Sequence, residues 1–195
     1  LHLEEGKLLW RYRPSPADEY VIGNSRMVSL WPVRTGLIVD KGIVYVGAGV
    51  FPYEGLYICA IDAKTGNEIW KNDTAGDLAW GLQYGGMAPQ GYLLASDSTL
   101  YVPSGRGMPA AFDRQDGHFI RFLSQGGKTG GSWALMDQDK LIAGVNSQGN
   151  PAKIVFDEKT GKRQGDLFAQ YPGIDLVMTD RMAYTVIEGG IVAID

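Results

Sequence analysis

The stretch AIDAKTGNEIWK, residues 60–71, decides the fold, because variants of it return along the chain. AFDRQDGHFI at 111–120 and VFDEKTGKR at 155–163 repeat its order of apolar residues, aspartate, three residues and glycine. An aspartate that opens a turn accepts hydrogen bonds from backbone amides, and a glycine four positions later supplies the positive φ that turns the chain back. Each copy therefore predicts a β-hairpin.

A second hairpin precedes each copy of this phrase. The stretch GLIVDKGIVYVGAG at 36–49 has an apolar strand, a short polar turn with an aspartate and another apolar strand, and similar stretches begin at 91, 132 and 175. Each unit therefore holds four strands, and with no helical periodicity such units indicate the blades of an all-β propeller. A β-sandwich has strands at similar spacing, but it does not repeat one turn chemistry.

About four antiparallel, four-stranded blades are expected in this chain. Two arrangements fit: a closed four-bladed ring completed by the N-terminal strand, or an excerpt of a seven- or eight-bladed propeller. The long linkers between units favour the excerpt, and an open excerpt would expose two apolar blade faces and would self-associate or stay aggregation-prone. The predicted units are an orphan outer strand over 1–13, blades over 27–73, 86–123 and 131–168, and three strands of a further blade over 173–195.

Composition narrows the functional classes. The net charge is −4 and both signs are interleaved along the chain, so no basic stripe exists that could bind nucleic acid. No apolar run reaches the roughly 18 residues of a membrane-spanning segment. The single cysteine, Cys59, lies in an apolar run and is expected to be an inert core residue.

The first unit carries a family likeness. The segments GIVYVGAG at 42–49 and GLYICAIDAKTGNEIWK at 55–71 resemble the repeat of the PQQ-type propellers. These comprise the bacterial quinoprotein dehydrogenases and non-enzymatic relatives that include the BamB-type outer-membrane assembly proteins. The resemblance implies the propeller fold and a periplasmic, cell-envelope or secreted location. It also implies a tryptophan, here Trp10 and Trp70, that docks between neighbouring blades.

The resemblance does not extend to a quinoprotein active site. In those dehydrogenases PQQ is stacked between a tryptophan and a disulfide of adjacent cysteines, beside a calcium ion held by Glu and Asn and an Asp that acts as the base. This chain has one cysteine, and no Glu, Asn and Asp set matches that site residue by residue. We therefore predict no catalytic and no metal-binding residues, and PQQ as a cofactor enters only through the resemblance.

The predicted function is a non-catalytic binding or scaffold module for a protein or a small ligand at the channel mouth. The alternative is part of a PQQ-dependent oxidoreductase whose cofactor site is completed by residues outside this chain. Ligands bind propellers near the channel mouth, which linker loops surround. The candidate ligand-binding residues lie beside innermost strands, in linkers, or in a glycine-flanked loop where an arginine could hold a carboxylate or a phosphate. Each of them also has a purely structural interpretation. They are Arg34, Gln90, Trp133, Trp31, Trp80 and Arg106.

Two further motifs have plain structural interpretations. His2 and His118 lie far apart, and neither has another ligand type at metal spacing, so no zinc site is predicted. The stretch DRQDG at 113–117 is superficially similar to a calcium loop, but it occupies the turn of the repeat and lacks the later bidentate glutamate. It is interpreted as a hairpin turn.

Overall fold

The computed structural model describes residues 6–77, 87–105, 107–123, 133–147, 150–173 and 175–195. These residues form β-strands, turns and one short 3-10 turn, Pro52–Glu54. No helix among them is long and apolar enough to cross a membrane.

The strands form consecutive antiparallel sheets, which are the blades. Blade one contains β3 (Ile38–Asp40), β4 (Ile43–Ala48), β5 (Tyr57–Asp62) and β6 (Glu68–Asn72). Blade two contains β7 (Leu94–Ala95), β8 (Thr99–Val102), β9 (Ala110–Asp113) and β10 (Phe119–Phe122). Blade three contains β11 (Ala134–Asp137), β12 (Lys140–Ser147), β13 (Asn150–Asp157) and β14 (Arg163–Asp166). Blade four contains β15 (Leu176–Met178), β16 (Ala183–Ile187) and β17 (Gly190–Ile194).

The sheet order confirms the predicted all-β architecture of four-stranded antiparallel blades. In blades one, two and three each strand pairs with the next strand along the chain, so every blade is a simple meander. Blade four has three strands among the described residues, with β17 at its edge.

The repeated phrase forms the turn between the third and fourth strands. In blade one, Asp62 Oδ1 accepts hydrogen bonds from the backbone N–H groups of Lys64, at 3.1 Å, and Thr65, at 2.7 Å. Gly66 follows with φ +76°, a conformation that favours glycine. Asp157 makes the same contact with the N–H of Thr160, at 2.7 Å. The aspartate and the glycine therefore act as the sequence predicts.

A tryptophan from one unit docks on this turn of the next unit. Trp70 of β6 donates a hydrogen bond from Nε1 to the carbonyl of Arg114, at 2.9 Å, and its ring lies against Gly117. Trp10 makes the matching bond to the carbonyl of Ala63, at 3.0 Å, and lies against Gly66. A Cβ atom on Gly117 would stand 2.3 Å from the Trp70 ring, so the glycine is also needed for this close approach.

An arginine occupies the same position in blade two. Arg121 follows the turn glycine by four residues, as Trp70 does in blade one, and its Nη2 donates to the carbonyls of Glu158, at 3.1 Å, and Lys159, at 2.8 Å. Its Nε lies against Gly161 and has no hydrogen-bond partner among the residues that the structure describes. The sequence reasoning missed this substitution, although the spacing from the turn glycine marks it.

The N-terminal region contains a segment that packs on blade one and an additional hairpin. Residues 6–13, predicted as an outer strand, pair with no described strand and lie on blade one through Trp10. A further hairpin, β1 (Tyr20–Gly23) and β2 (Arg26–Ser29), precedes blade one and was not predicted. Its two-residue turn, Asn24 and Ser25, has positive φ at both positions, which matches the right-handed twist of the strands.

The hydrophobic core consists of separate layers, each packed between two consecutive blades. Tyr45 and Ala60 of blade one pack against Leu100 and Phe112 of blade two, and comparable clusters lie between the later blades. The other face of blade one buries Cys59, and burial raises the pKa of its thiol to about 11. This side chain is fully buried, as expected for a core residue.

We predict that Trp70→Ala lowers the free energy of unfolding by about 3–5 kcal/mol, since it leaves a cavity between two blades and removes one hydrogen bond. Chemical denaturation followed by circular dichroism measures the change. Ile69→Ala is the control, because Ile69 is 47% exposed on the same strand and should cost less than about 1 kcal/mol. Equal losses in both variants would refute the docking role.

Candidate functional site

The meander gives each blade two different ends. Because successive strands alternate in direction, the turns between strands one and two and between strands three and four lie at one end, here the turn face. The loops between strands two and three, and the linkers between blades, lie at the other end, here the linker face. The sequence-predicted site residues that the structure describes belong to linkers or to their junctions with innermost strands: Trp31, Arg34, Gln90 and Trp133.

The structure brings Arg34 and Gln90 together on the linker face. They lie in successive linkers, and Arg34 Nη2 donates a hydrogen bond to Gln90 Oε1. The two linkers run side by side, because Thr35 forms a parallel bridge with Gly91 and the N–H of Gly36 donates to the Gly91 carbonyl at 2.7 Å. Two residues 56 positions apart in sequence therefore form one polar pair.

The loop between the second and third strands of blade two contacts this pair. The N–H of Gln90 donates to the Pro103 carbonyl at 3.1 Å, which fixes the backbone of the second linker on its own blade. A Cβ atom on Gly105 would stand 2.9 Å from Gln90 Oε1. Glycine at position 105 therefore leaves the space that the Gln90 amide occupies.

No carboxylate of the described residues neutralises the charge of Arg34. Within the described part of the chain, no carboxylate oxygen lies within 4.0 Å of its guanidinium, and both Arg34 and Gln90 are half-buried. The bond to Gln90 uses one of five N–H donors. A guanidinium that is held by a neutral amide in this way can donate charge-assisted hydrogen bonds to a carboxylate or a phosphate.

Trp31 and Trp133 belong to two different blades. Trp31 donates from Nε1 to the Glu54 carbonyl and meets the Tyr57 ring edge-on at 6.1 Å, so it fastens the first linker to blade one. Trp133 packs in the cluster between blades three and four, over Gly144. Trp80 and Arg106, the other predicted residues, lie outside the described part of the chain.

Aromatic side chains on the linker face were missed by the sequence reasoning. Phe51 and Tyr53 stack at 5.5 Å in the loop between β4 and β5 and are 46% and 68% exposed. Tyr92, directly after the second linker, is 75% exposed and lies against Gly36. Aromatic residues in a loop flanked by Gly49 and Gly55 are the signal that could have identified the first pair.

The turn face holds a cavity of about 650 Å³ that the sequence reasoning also missed. Turns of the first three blades line it, and its charged groups include Arg114, Asp40, Lys41 and Asp97. Arg114, which is 8% exposed, donates from Nη2 to Asp40 Oδ2 at 2.6 Å and from Nε to Tyr45 Oη at 3.1 Å. Because Arg114 and Asp40 satisfy each other here, this guanidinium links two blades.

Three potential metal ligands meet at one turn. Ligand atoms of Asp113, Asp116 and His118 lie within 4.8 Å of one another. Asp113 Oδ1 accepts the N–H of Gln115 at 2.6 Å, and Asp116 Oδ1 accepts the N–H of His118 at 3.0 Å. These contacts are those of a hairpin turn, which is how the sequence was interpreted.

Comparison with solved structures places this architecture among propellers. The chain is similar to the computationally designed protein Ika4, with TM-score 0.57 and 18% identity over 83% of this chain and 89% of Ika4. It is similar to BamB from Moraxella catarrhalis, with TM-score 0.54 and 16% identity over 84% of this chain and 50% of BamB. It is also similar to the quinohemoprotein alcohol dehydrogenase from Comamonas testosteroni, with TM-score 0.52 and 25% identity over 69% of this chain and 21% of the enzyme.

The chain has the fold of a PQQ-type β-propeller. It spans half of BamB and about a fifth of the dehydrogenase, and this partial coverage agrees with an excerpt of a larger propeller. A comparison with models of known protein families finds no match, and neither does a comparison with curated protein sequences.

We predict that the two ion pairs of the turn-face cavity differ strongly in their contribution to stability. Arg114→Met should lower the free energy of unfolding by about 1.5–3 kcal/mol, because it removes the hydrogen bonds of a buried guanidinium to the Tyr45 hydroxyl and to the Asp40 carboxylate, which is 39% exposed. Lys41→Met breaks the Lys41–Asp97 pair, which is exposed on both sides, and should cost less than about 1 kcal/mol. Urea titrations of both variants measure this, and equal values would contradict the assignment.

Proposed function

We propose that this chain is a non-catalytic propeller module that binds a protein or a small ligand through a carboxylate at the channel mouth. The observation that carries this proposal is the Arg34 guanidinium, which Gln90 orients without neutralising its charge. A bidentate guanidinium–carboxylate contact gives both affinity and orientation. Gln90 then acts as the positioning residue, and Arg34 makes the contact with the ligand.

The exposed aromatic side chains of the same face extend the proposed site. Phe51 and Tyr53 form a stacked pair in a loop of blade one, close in sequence to Glu54, whose carbonyl accepts the Trp31 indole. Exposed aromatic side chains together with an arginine are typical of surfaces that bind peptides or proteins. This composition favours a peptide segment with an apolar side chain and a carboxylate as the ligand.

The cell envelope is the proposed location. The resemblance to PQQ-type propellers implies it, and BamB is among the structural neighbours. The resemblance includes the BamB-type outer-membrane assembly proteins, which supports a protein partner here as well. A periplasmic location therefore belongs to the same proposal as the binding role.

We predict that Arg34→Gln weakens binding of peptides with a free carboxyl terminus by roughly tenfold or more, since a hydrogen bond to a charged group contributes about 1.5–3 kcal/mol. Two pools of fluorescein-labelled hexapeptides, identical except for a free or an amidated carboxyl terminus, serve as probes. Fluorescence anisotropy measures the affinity of each pool for the wild-type chain and the variant.

The control for this measurement is Arg26→Gln, which removes an equal charge from an exposed position of the β1–β2 hairpin. It should leave both affinities unchanged. The proposal fails if the wild-type chain binds the amidated pool as tightly as the free pool, or if the control variant loses as much affinity as Arg34→Gln.

The second candidate function is a part of a PQQ-dependent oxidoreductase, with the cofactor site completed by residues outside this chain. The similarity to the quinohemoprotein alcohol dehydrogenase, at 25% identity, favours it. The residues described here contain one cysteine, which is free and buried, so any stacking disulfide of adjacent cysteines would have to come from elsewhere.

A titration with PQQ and calcium, followed by tryptophan fluorescence, distinguishes the two functions. For the binding module we expect no saturable quenching at micromolar PQQ in a chain that circular dichroism shows to be folded. Saturable quenching that needs calcium would favour the oxidoreductase. Trp31→Phe would then test whether that indole reports the bound quinone.

A further inference from the structure

The loop between β4 and β5 presents two stacked aromatic rings to solvent. The ring centroids of Phe51 and Tyr53 lie 5.5 Å apart at an interplanar angle of 20°, and the side chains are 46% and 68% exposed. This loop belongs to the linker face, whereas consecutive blades pack on the faces of their sheets. Exposed aromatic side chains are enriched on surfaces that bind other proteins. We name the surface formed by Phe51 and Tyr53 the aromatic patch.

Hydrogen bonds fix the backbone beneath the aromatic patch. The N–H of Glu54 donates to the Phe51 carbonyl at 3.0 Å. The N–H of Gly55 donates to the carbonyl of Pro52, which is buried between the two aromatic residues, at 3.1 Å. Trp31 donates from Nε1 to the Glu54 carbonyl. Because the loop is fixed before a ligand arrives, little conformational entropy is lost when one binds.

The segment that follows β6 packs on this loop and adds acidic side chains to it. A Cβ atom on Gly76 would stand 2.4 Å from the Pro52 carbonyl oxygen, so the two backbones are in direct contact. Asp77 is exposed directly after this contact, and Asp73 is exposed at the start of the segment. Two carboxylates therefore lie at the loop that carries the aromatic patch.

Two further carboxylates lie at the same loop. Glu54 follows Tyr53 directly and is exposed. Glu19 lies near Tyr57, the residue with which β5 begins, because burial and the charges of Asp73 and Glu19 raise the pKa of the Tyr57 hydroxyl. We name the four carboxylates of Glu19, Glu54, Asp73 and Asp77 the acidic rim.

No ion pair within the described part of the chain neutralises the acidic rim. The cations that form ion pairs there are bound to other carboxylates. Lys71, whose charge also reaches Tyr57, pairs with Glu68 Oε2 at 2.8 Å. The aromatic patch is therefore surrounded by uncompensated negative charge, which attracts a cationic partner and repels an anionic surface.

We propose that the aromatic patch binds a basic segment of a partner protein, with an arginine side chain lying on the Tyr53 ring inside the acidic rim. A guanidinium stacks on aromatic faces and is attracted by the ring quadrupole. Its methylene stem packs on Phe51 and supplies the apolar contact that the proposed function assigns to this pair. The inference deepens the proposed function and rests on it for the class of ligand, a protein segment.

Fluorescence anisotropy with labelled hexapeptides tests this inference on the 195-residue chain. Three pools have an amidated carboxyl terminus and carry arginine, citrulline or glutamate at a central position, and their other positions vary among uncharged residues. Citrulline keeps the planar group of arginine and removes its charge. We expect the arginine pool to bind about fivefold more tightly than the citrulline pool, and the glutamate pool to bind most weakly.

Two substitutions of Tyr53 separate stacking from a general apolar contact. Tyr53→Phe keeps the aromatic ring and should keep the preference for arginine over citrulline. Tyr53→Leu keeps an apolar side chain without a ring and should lose most of this preference. Because Tyr53 is 68% exposed, neither variant should change the circular dichroism of the chain.

A matched pair of double variants tests the acidic rim. Glu54→Gln combined with Asp73→Asn removes two negative charges from the rim and should weaken binding of the arginine pool roughly threefold or more. Asp180→Asn combined with Glu188→Gln removes the same charge from exposed positions of blade four and is the control. It should leave the affinity unchanged.

The amidated peptides also separate this inference from the carboxylate site. They have no terminal carboxylate, so Arg34→Gln should leave their affinity unchanged, and the failure of one site does not imply the failure of the other. Equal affinities for the arginine and citrulline pools, a Tyr53→Leu variant that keeps the preference, or a control variant that loses as much affinity as the rim variant would each overturn the inference.

A lipid surface is the alternative occupant of the aromatic patch. Cosedimentation with vesicles of phosphatidylcholine and phosphatidylglycerol tests it, and we expect no association, because the acidic rim repels the anionic headgroups. Association that Tyr53→Leu abolishes would overturn the proposal of a basic protein segment.

Discussion

The whole assembly depends on one contact, the docking of a planar N–H donor onto a glycine turn. The turn carbonyl after the aspartate accepts the bond from Trp10, Trp70 or Arg121, and the glycine lets the ring or the guanidinium approach the backbone. A glycine with positive φ costs conformational entropy on folding. Two favourable effects offset this entropic cost. The glycine allows the chain to reverse, and its lack of a side chain lets the neighbouring unit pack against the turn.

The docking contact explains why the fold could be predicted from the sequence and where prediction stopped. Asp62 and Gly66 act within five residues, so their spacing alone fixes the hairpin. The β1–β2 hairpin escaped notice because its strands are exposed on both faces and lack an apolar–polar alternation. The role of Arg121 was not predicted, because the docking geometry stays the same while the residue type changes. A guanidinium, like an indole, is flat and carries an N–H donor.

The candidate site could be predicted in part. Position beside an innermost strand identified Arg34 and Gln90 separately, but their contact depends on how two linkers run side by side. The turn-face cavity could not be predicted from the sequence, because its walls come from turns of three blades that are far apart along the chain. The interface between blades three and four also contains a buried charged side chain, which no motif in the sequence indicated. It buries Lys153, whose ammonium donates to the Gly173 carbonyl and whose pKa is lowered by burial.

The two ends of the blades are under different constraints, and this difference favours the linker face as the place for function. On the turn face the carbonyls of Ala63, Arg114 and Glu158 all accept bonds from the preceding unit, so a change of turn geometry there would loosen an interface. The contacts of the linkers differ from one linker to the next: Trp31 donates to the Glu54 carbonyl, and Arg34 donates to Gln90. One fold can therefore host different functions, because residues of the linker face can change without altering the repeated docking contact.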